Sequence, residues 1–188
     1  MKVLVTGFGP FGNVVDNPTT RLTKVFDGER IAGRDVVGLA LPTSFSRAPK
    51  LLAEKLASEK FDALLMLGVA ETAHAVRIER FARRRTTARA PDVDGALPEV
   101  LDGPEVLPVT VDVDALERAL ESFGAEISDD AGAYVCNHTL YATLGSARGL
   151  RVAFLHLPPD ERTLKTIPAN AFRIETLAEI VAAAISAV

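Results

Sequence analysis

The chain has 188 residues, 48% hydrophobic and 24% charged, with a formal net charge of -4 and a mean hydropathy of +0.18. These values fit one domain over residues 1–188 with a core that needs neither disulfide nor structural metal, and the acidic balance argues against a nucleic-acid partner. No apolar stretch reaches membrane-spanning length, the N-terminus lacks a signal-peptide pattern, and the single Cys136 excludes an intramolecular disulfide or a thiolate zinc cluster, so a cytoplasmic protein without membrane contact is expected.

In chain order, a continuous apolar run over residues 2–6 predicts a buried strand, followed by the glycine-rich loop Gly7-Phe8-Gly9-Pro10-Phe11-Gly12. Its G-x-G-x-x-G spacing is not that of a dinucleotide-binding turn. Several residues separate Gly12 from the helix that Asn17 as N-cap and Pro18 at the first position begin, and no acidic residue ends the next strand at Gly38-Leu39-Ala40-Leu41-Pro42. Phe8 and Phe11 instead suit an apolar pocket at the end of the first strand, or else fill the core beneath the loop.

Helical spacing predicts helices over 18–26, 45–56, 113–122, 137–144 and 169–187, and β-branched runs predict strands over 36–41, 63–69, 76–82 and 151–157. The alternation implies an α/β fold, a three-layer α/β/α domain with a mostly parallel central sheet. Residues 83–103, with Pro91, Asp92, Asp94, Gly95, Pro98 and Gly103, read as one long loop suited to lie over a site, and the triplet Arg83-Arg84-Arg85 reads as solvated loop.

Cys136 follows a turn marked by Asp129 and Gly132 and opens a helical segment. A helix N-terminus favours a thiolate and offers free N–H groups to an oxyanion, although a buried inert cysteine is the simpler alternative. His156 ends a strand just before Leu157-Pro158-Pro159, at the sheet edge where Cys136 is expected. It is either a general base or a hydrogen-bonded structural histidine. His138 and His74 fit the base role less well, the first by its spacing from Cys136 and the second by its loop. Glu79 lies in an apolar strand, where it either orients a histidine or pairs with Arg77 or Arg80 on an exposed face.

Together these segments resemble the pyroglutamyl-peptidase I family of cysteine peptidases over nearly the whole chain, which implies a phosphorylase/hydrolase-like form of the α/β/α fold. The similar stretches are Thr6 to Gly12 with Asn17-Pro18, Leu41-Pro42-Thr43-Ser44-Phe45, Gly68-Val69-Ala70 with Val76 and Glu79-Arg80-Phe81-Ala82, Ala131 to Asn137, and Phe154 to Pro158. The resemblance implies that Cys136 is the nucleophile, His156 the general base and acid, and Glu79 the residue orienting His156. It further implies that Arg89 supports the oxyanion, that Phe8, Phe11 and Val135 surround the pyrrolidone ring, and that no cofactor or metal takes part. The expected substrates are N-terminally pyroglutamylated peptides, cleaved through a thioester, and the expected assembly is a homodimer or homotetramer. The chain departs from the family pattern at Glu71-Thr72-Ala73, at Arg84, and in a shorter loop after Pro91. Two other readings compete: a non-covalent amide or nucleoside hydrolase on the same framework, and an inactive relative that binds pyroglutamate.

Overall fold

The computed structural model describes every residue except Thr86 and Arg89. Its elements are β1 (Lys2–Phe8), α1 (Pro18–Phe26), β2 (Arg30–Ile31), β3 (Arg34–Leu41), α2 (Arg47–Ser58), β4 (Ala63–Val69), β5 (Arg77–Glu79), β6 (Phe81–Arg83), β7 (Val106–Pro108), α3 (Val113–Leu120), β8 (Glu126–Ser128), α4 (Val135–Ser146), β9 (Arg151–Leu157) and α5 (Ile174–Ala187). The main sheet runs β2-β3-β1-β4-β9-β5-β8, and β6 and β7 form a separate pair.

Strands β3, β1, β4 and β9 are mutually parallel, as the apolar runs require of a sheet covered on both faces. The sheet is mixed at its edges: β2 is antiparallel to β3, and β5 is antiparallel to β9 while pairing in parallel with β8. The segment 76–82, expected as one strand, divides at Arg80. Residues up to Glu79 join the main sheet, whereas Phe81–Arg83 turns away to pair with β7. Arg80 is exposed and bonds Asp129, while its backbone carbonyl accepts from Val109 and its N–H donates to Ser128. The chain changes partner at the residue whose side chain belongs in solvent.

Strand periodicity sorts the core into two layers. Val3, Val5, Leu65, Leu67, Ala153, Leu155 and Leu157 face Leu22 and Phe26 of α1, Leu116 and Leu120 of α3, and Leu177, Ile180, Val181, Ala184 and Ile185 of α5. Leu4, Leu64, Met66, Val152 and Phe154 face Ala48 and Leu52 of α2 and Val135, Cys136, Leu140 and Tyr141 of α4. Each fully buried leucine or isoleucine contributes roughly 1.5–3 kcal/mol of transfer free energy. Because Phe154 faces α2 and α4, so does His156, two residues on. Parity therefore directs the imidazole to the layer that holds Cys136.

Gly7 is needed for packing. A Cβ there would lie 2.3 Å from the carbonyl oxygen of Thr19, so α1 closes onto β1 only over glycine. Asn17 caps α1 by accepting from the Thr19 N–H, with Pro18 in the first turn. The Asn17 side chain also donates to the carbonyl of Gly9, and Thr43 donates to the same oxygen at 2.8 Å. The glycine-rich loop is thus fastened to its neighbours.

Candidate active site

A cavity of about 590 Å³ opens at the C-terminal end of the parallel strands. Its walls come from Phe11 to Asn13, the segment after β4, the start and end of β5, the turn before α4, and His156. Ala90 and Pro91 of the 84–105 loop also line it, which places that loop beside the site. The Tyr134 hydroxyl donates to the Pro91 carbonyl at 3.0 Å.

His156 ends β9 and is only 8% exposed, and Glu79 ends β5 and is 1% exposed. The antiparallel register sets Arg77 opposite His156, and strand alternation returns Glu79 to the same face. The carboxylate Oε1 of Glu79 lies 2.7 Å from Nδ1 of His156. Its other oxygen, Oε2, is buried without a hydrogen-bond partner among the described residues. The alternative ion pair from Glu79 to Arg77 or Arg80 does not form, since Arg80 bonds Asp129 instead.

Cys136 is the second residue of α4 and is 7% exposed. The N-cap, Tyr134, provides no side-chain acceptor, so the first-turn N–H groups are not consumed by a cap. Asn137 ties this helix start to β6: its side chain accepts from the Arg83 N–H at 2.8 Å and donates to the Arg83 carbonyl at 2.7 Å. Cys136 and His156 line the same cavity, and the neighbouring cysteine is one of the groups that raise the imidazole pKa. With Nδ1 committed to Glu79, Nε2 is the ring nitrogen left for chemistry at the cavity.

Burial alone would strip the proton from His156, but interaction with Cys136 and Glu79 outweighs it and pushes the imidazole up to about 9. A protonated imidazole between a sulfur and a carboxylate is the charge arrangement of an activated thiol nucleophile. Gly68 makes room for the ring. It is in register with His156 on the adjacent strand, and a Cβ there would lie 2.8 Å from Cδ2.

Of the residues expected around a substrate ring, Phe11 lines the cavity. Phe8 and Val135 are packed in the core layer shared with Cys136, at 1% and 0% exposure, and do not line it. The last residue of β1 points inward, and the first turn of α4 is pressed onto the sheet. Arg89 lies outside the described residues. His138 packs edge-on against Phe45, with ring centroids 5.3 Å apart, and burial lowers its pKa. Tyr134 had no expected role, yet it lines the cavity, with ring centroids 5.5 Å from both Phe11 and Phe45. Its place directly before Val135-Cys136 was the available signal. Among the described residues no cluster of His, Cys, Asp and Glu is arranged to hold a metal ion, and no helix is long and apolar enough to cross a membrane.

The family model for pyroglutamyl peptidase matches residues 1–188. A pyrrolidone-carboxylate peptidase of Thermococcus litoralis is 37% identical over 172 residues, which is 85% of this chain and 78% of the relative. One from Pyrococcus furiosus is 36% identical over 168 residues, covering 84% of this chain and 81% of the relative. The solved structure of pyrrolidone carboxyl peptidase from Thermococcus litoralis superposes with a TM-score of 0.90 at 32% identity, covering 99% of this chain and 92% of that one. The chain belongs to the pyroglutamyl peptidase family.

Proposed function

We propose that this chain hydrolyses the amide bond after an N-terminal pyroglutamyl residue, with Cys136 as nucleophile, His156 as general acid and base, and Glu79 as the residue that orients and charges the imidazole. The observation that carries the assignment is the buried Glu79–His156 hydrogen bond at a cavity that Cys136, Phe11 and Tyr134 also line. The Cys136 thiolate adds to the substrate carbonyl, forming the S–C bond and pushing charge onto oxygen. The N–H groups of the first turn of α4, aided by the helix dipole, stabilise that oxyanion, and Arg89 is the expected cationic support.

Collapse of the adduct breaks the C–N bond as His156 delivers its proton from Nε2 to the departing amine, leaving a thioester on Cys136. The neutral imidazole then takes a proton from water. The resulting hydroxide adds to the thioester carbonyl, and the thiolate leaves, regenerating the ion pair. The lactam is a small, neutral, flat ring. Phe11 and Tyr134 supply apolar contact for it, and Phe8 and Val135 back the wall from the core. A charged amino terminus placed against the same apolar rings would carry a desolvation cost that the neutral lactam does not, which disfavours ordinary peptides.

The non-covalent hydrolase and the inactive relative are not favoured, since relatives named as peptidases match most of the chain. The reading includes a single catalytic domain, a cytoplasmic location and assembly into two or four copies. Assembly is supported by the apolar residues Leu97 and Val100, exposed at 63% and 64% on the 84–105 loop, and light scattering on the purified protein measures it.

The test of function is release of a chromogenic amine from a pyroglutamyl amide, under reducing conditions near neutral pH, by wild type and by Cys136→Ser and Cys136→Ala. Wild-type turnover, with loss of at least several hundredfold in the serine variant and none detectable in the alanine variant, is expected. Turnover that survives Cys136→Ala would remove the covalent mechanism.

A further inference from the structure

Arg77 is a cation in the cavity wall for which the peptidase chemistry has no use. It lines the cavity together with His156 and Glu79, stands opposite His156 across the β5–β9 pair, and is only partly exposed. The acids around it are engaged elsewhere or stand apart: Glu79 holds His156, Asp129 holds Arg80, and Asp130 holds Arg85. Glu71 lines the same cavity and Glu126 is its register partner on β8, yet Arg77 forms no ion pair among the described residues. A guanidinium kept part-buried without a partner carries a desolvation cost that a bound anion would relieve.

The position of His156 says which part of a substrate that anion belongs to. The departing amine must reach Nε2 to be protonated. In a pyroglutamyl dipeptide the carboxylate carbon lies two bonds from that amine nitrogen, at about 2.5 Å. Residues directly opposite on antiparallel strands have Cα atoms only about 4.5–5.5 Å apart and project side chains to one face. An arginine opposite His156 can therefore reach a carboxylate carried by the leaving residue. The pyroglutamyl ring has no negative charge of its own, so this contact acts on the leaving side alone.

We propose that Arg77 is a specificity-determining residue that binds a carboxylate on the residue following pyroglutamate, favouring pyroglutamyl dipeptides or an acidic second residue. This rests on the peptidase reading above. The test compares wild type with Arg77→Gln and Arg77→Lys on two substrate pairs: pyroglutamyl-alanine against its C-terminal amide, and pyroglutamyl-glutamate amide against pyroglutamyl-glutamine amide. Wild type should favour the acid member of at least one pair by about tenfold in kcat/KM, carried mainly by KM. The pair that shows the preference identifies whether the carboxylate is main-chain or side-chain. Arg77→Gln should bring that ratio close to one, and Arg77→Lys should restore part of it. A wild-type ratio near one in both pairs, or a ratio unmoved by Arg77→Gln, overturns the assignment of Arg77. Failure of wild type to cleave either uncharged amide overturns the peptidase reading itself, which the chromogenic assay reports separately.

Discussion

Gly68 of β4 and His156 of β9 are register partners, and the imidazole occupies the space that a side chain at Gly68 would fill. A Cβ at Gly68 would stand 2.8 Å from Cδ2 and 2.9 Å from Nε2, and 3.0 Å from the ring of Phe154 behind it. The ring is already held by Glu79 at Nδ1 and packed against Phe154, so it cannot yield without moving its reactive nitrogen.

Gly68→Ala is therefore expected to reduce kcat for a pyroglutamyl amide by about a hundredfold, the cost of a displacement near 1 Å at a reacting group. The sheet should survive, because the collisions are with side-chain rings rather than with backbone. Circular dichroism and Tm check folding, and near-wild-type kcat in the folded variant would show that the ring tolerates displacement.

The charge state of His156 gives a second expectation. Its pKa is raised from 6.5 to about 9 in the folded protein, since the influence of Cys136 and Glu79 prevails over burial. The imidazolium that protonates the departing amine should thus persist across neutral pH, and kcat/KM should decline on an alkaline limb near 9. Glu79→Gln keeps a hydrogen-bonding oxygen for Nδ1 but removes the negative charge. The limb should move to lower pH, with kcat at neutral pH reduced about tenfold to a hundredfold. A pH–rate profile of both proteins measures this, and an unshifted limb would mean that Glu79 does not set the proton affinity of the ring. The same shift makes a stability statement. A histidine whose pKa rises on folding stabilises fully below its unfolded value of 6.5, and that contribution is lost as pH climbs through about 9.

Strands β4 and β9 and helix α1 were legible in the sequence because each carries its own signal: long apolar runs for the two strands, and an Asn-Pro start for the helix. The short strands β2, β7 and β8 were not legible. They are two or three residues long and largely unburied, and partners rather than local pattern hold them in place. The division of 76–82 was hidden for a related reason, since only the tertiary positions of β7 and β9 decide where the run changes sheets. At the site, Cys136, His156 and Glu79 could be named from their settings, but their meeting depends on β5 lying against β9, a pairing across 77 residues. Phe8 and Phe11 looked equivalent in one glycine-rich loop. Strand parity buries the first and leaves the second at the cavity.

The clamp between Asn137 and Arg83 supports the nucleophile from behind. Both polar atoms of the buried amide are paired with the backbone of β6, which fixes the residue next to Cys136 to the segment that follows Glu79. Asn137→Ala would leave a buried N–H and carbonyl unsatisfied, at a cost of about 1–3 kcal/mol for each that water does not reach. Tm should fall by several degrees and kcat more than KM rises. Asn137→Asp retains the acceptor but not the donor, so it should recover only part of either loss. Thermal melts and steady-state kinetics on the three proteins decide it, and full activity in Asn137→Ala would dismiss the clamp as a support for catalysis.

Asp92 performs a similar task for the opposite wall of the cavity. One carboxylate oxygen accepts from the Phe45 N–H at 2.7 Å, and the other accepts from Asp94 and Ala96 at 2.9 Å. Burial pushes this carboxyl upward, yet the backbone donors prevail and hold it below the ordinary aspartate value. The bonds join the 84–105 loop to the residue whose ring packs on Tyr134. In Asp92→Asn an amide NH₂ must face one set of N–H donors, costing about 2 kcal/mol and lowering Tm by about 4–8 °C for a chain of this size. Because the folded pKa is depressed, the aspartate's advantage is complete above its unfolded value of 3.8 and disappears as pH falls through the folded one. Melting curves of wild type and Asp92→Asn should therefore lie apart at neutral pH and converge in acid. Curves that stay equally separated at every pH would show that the carboxylate charge is not what holds the loop.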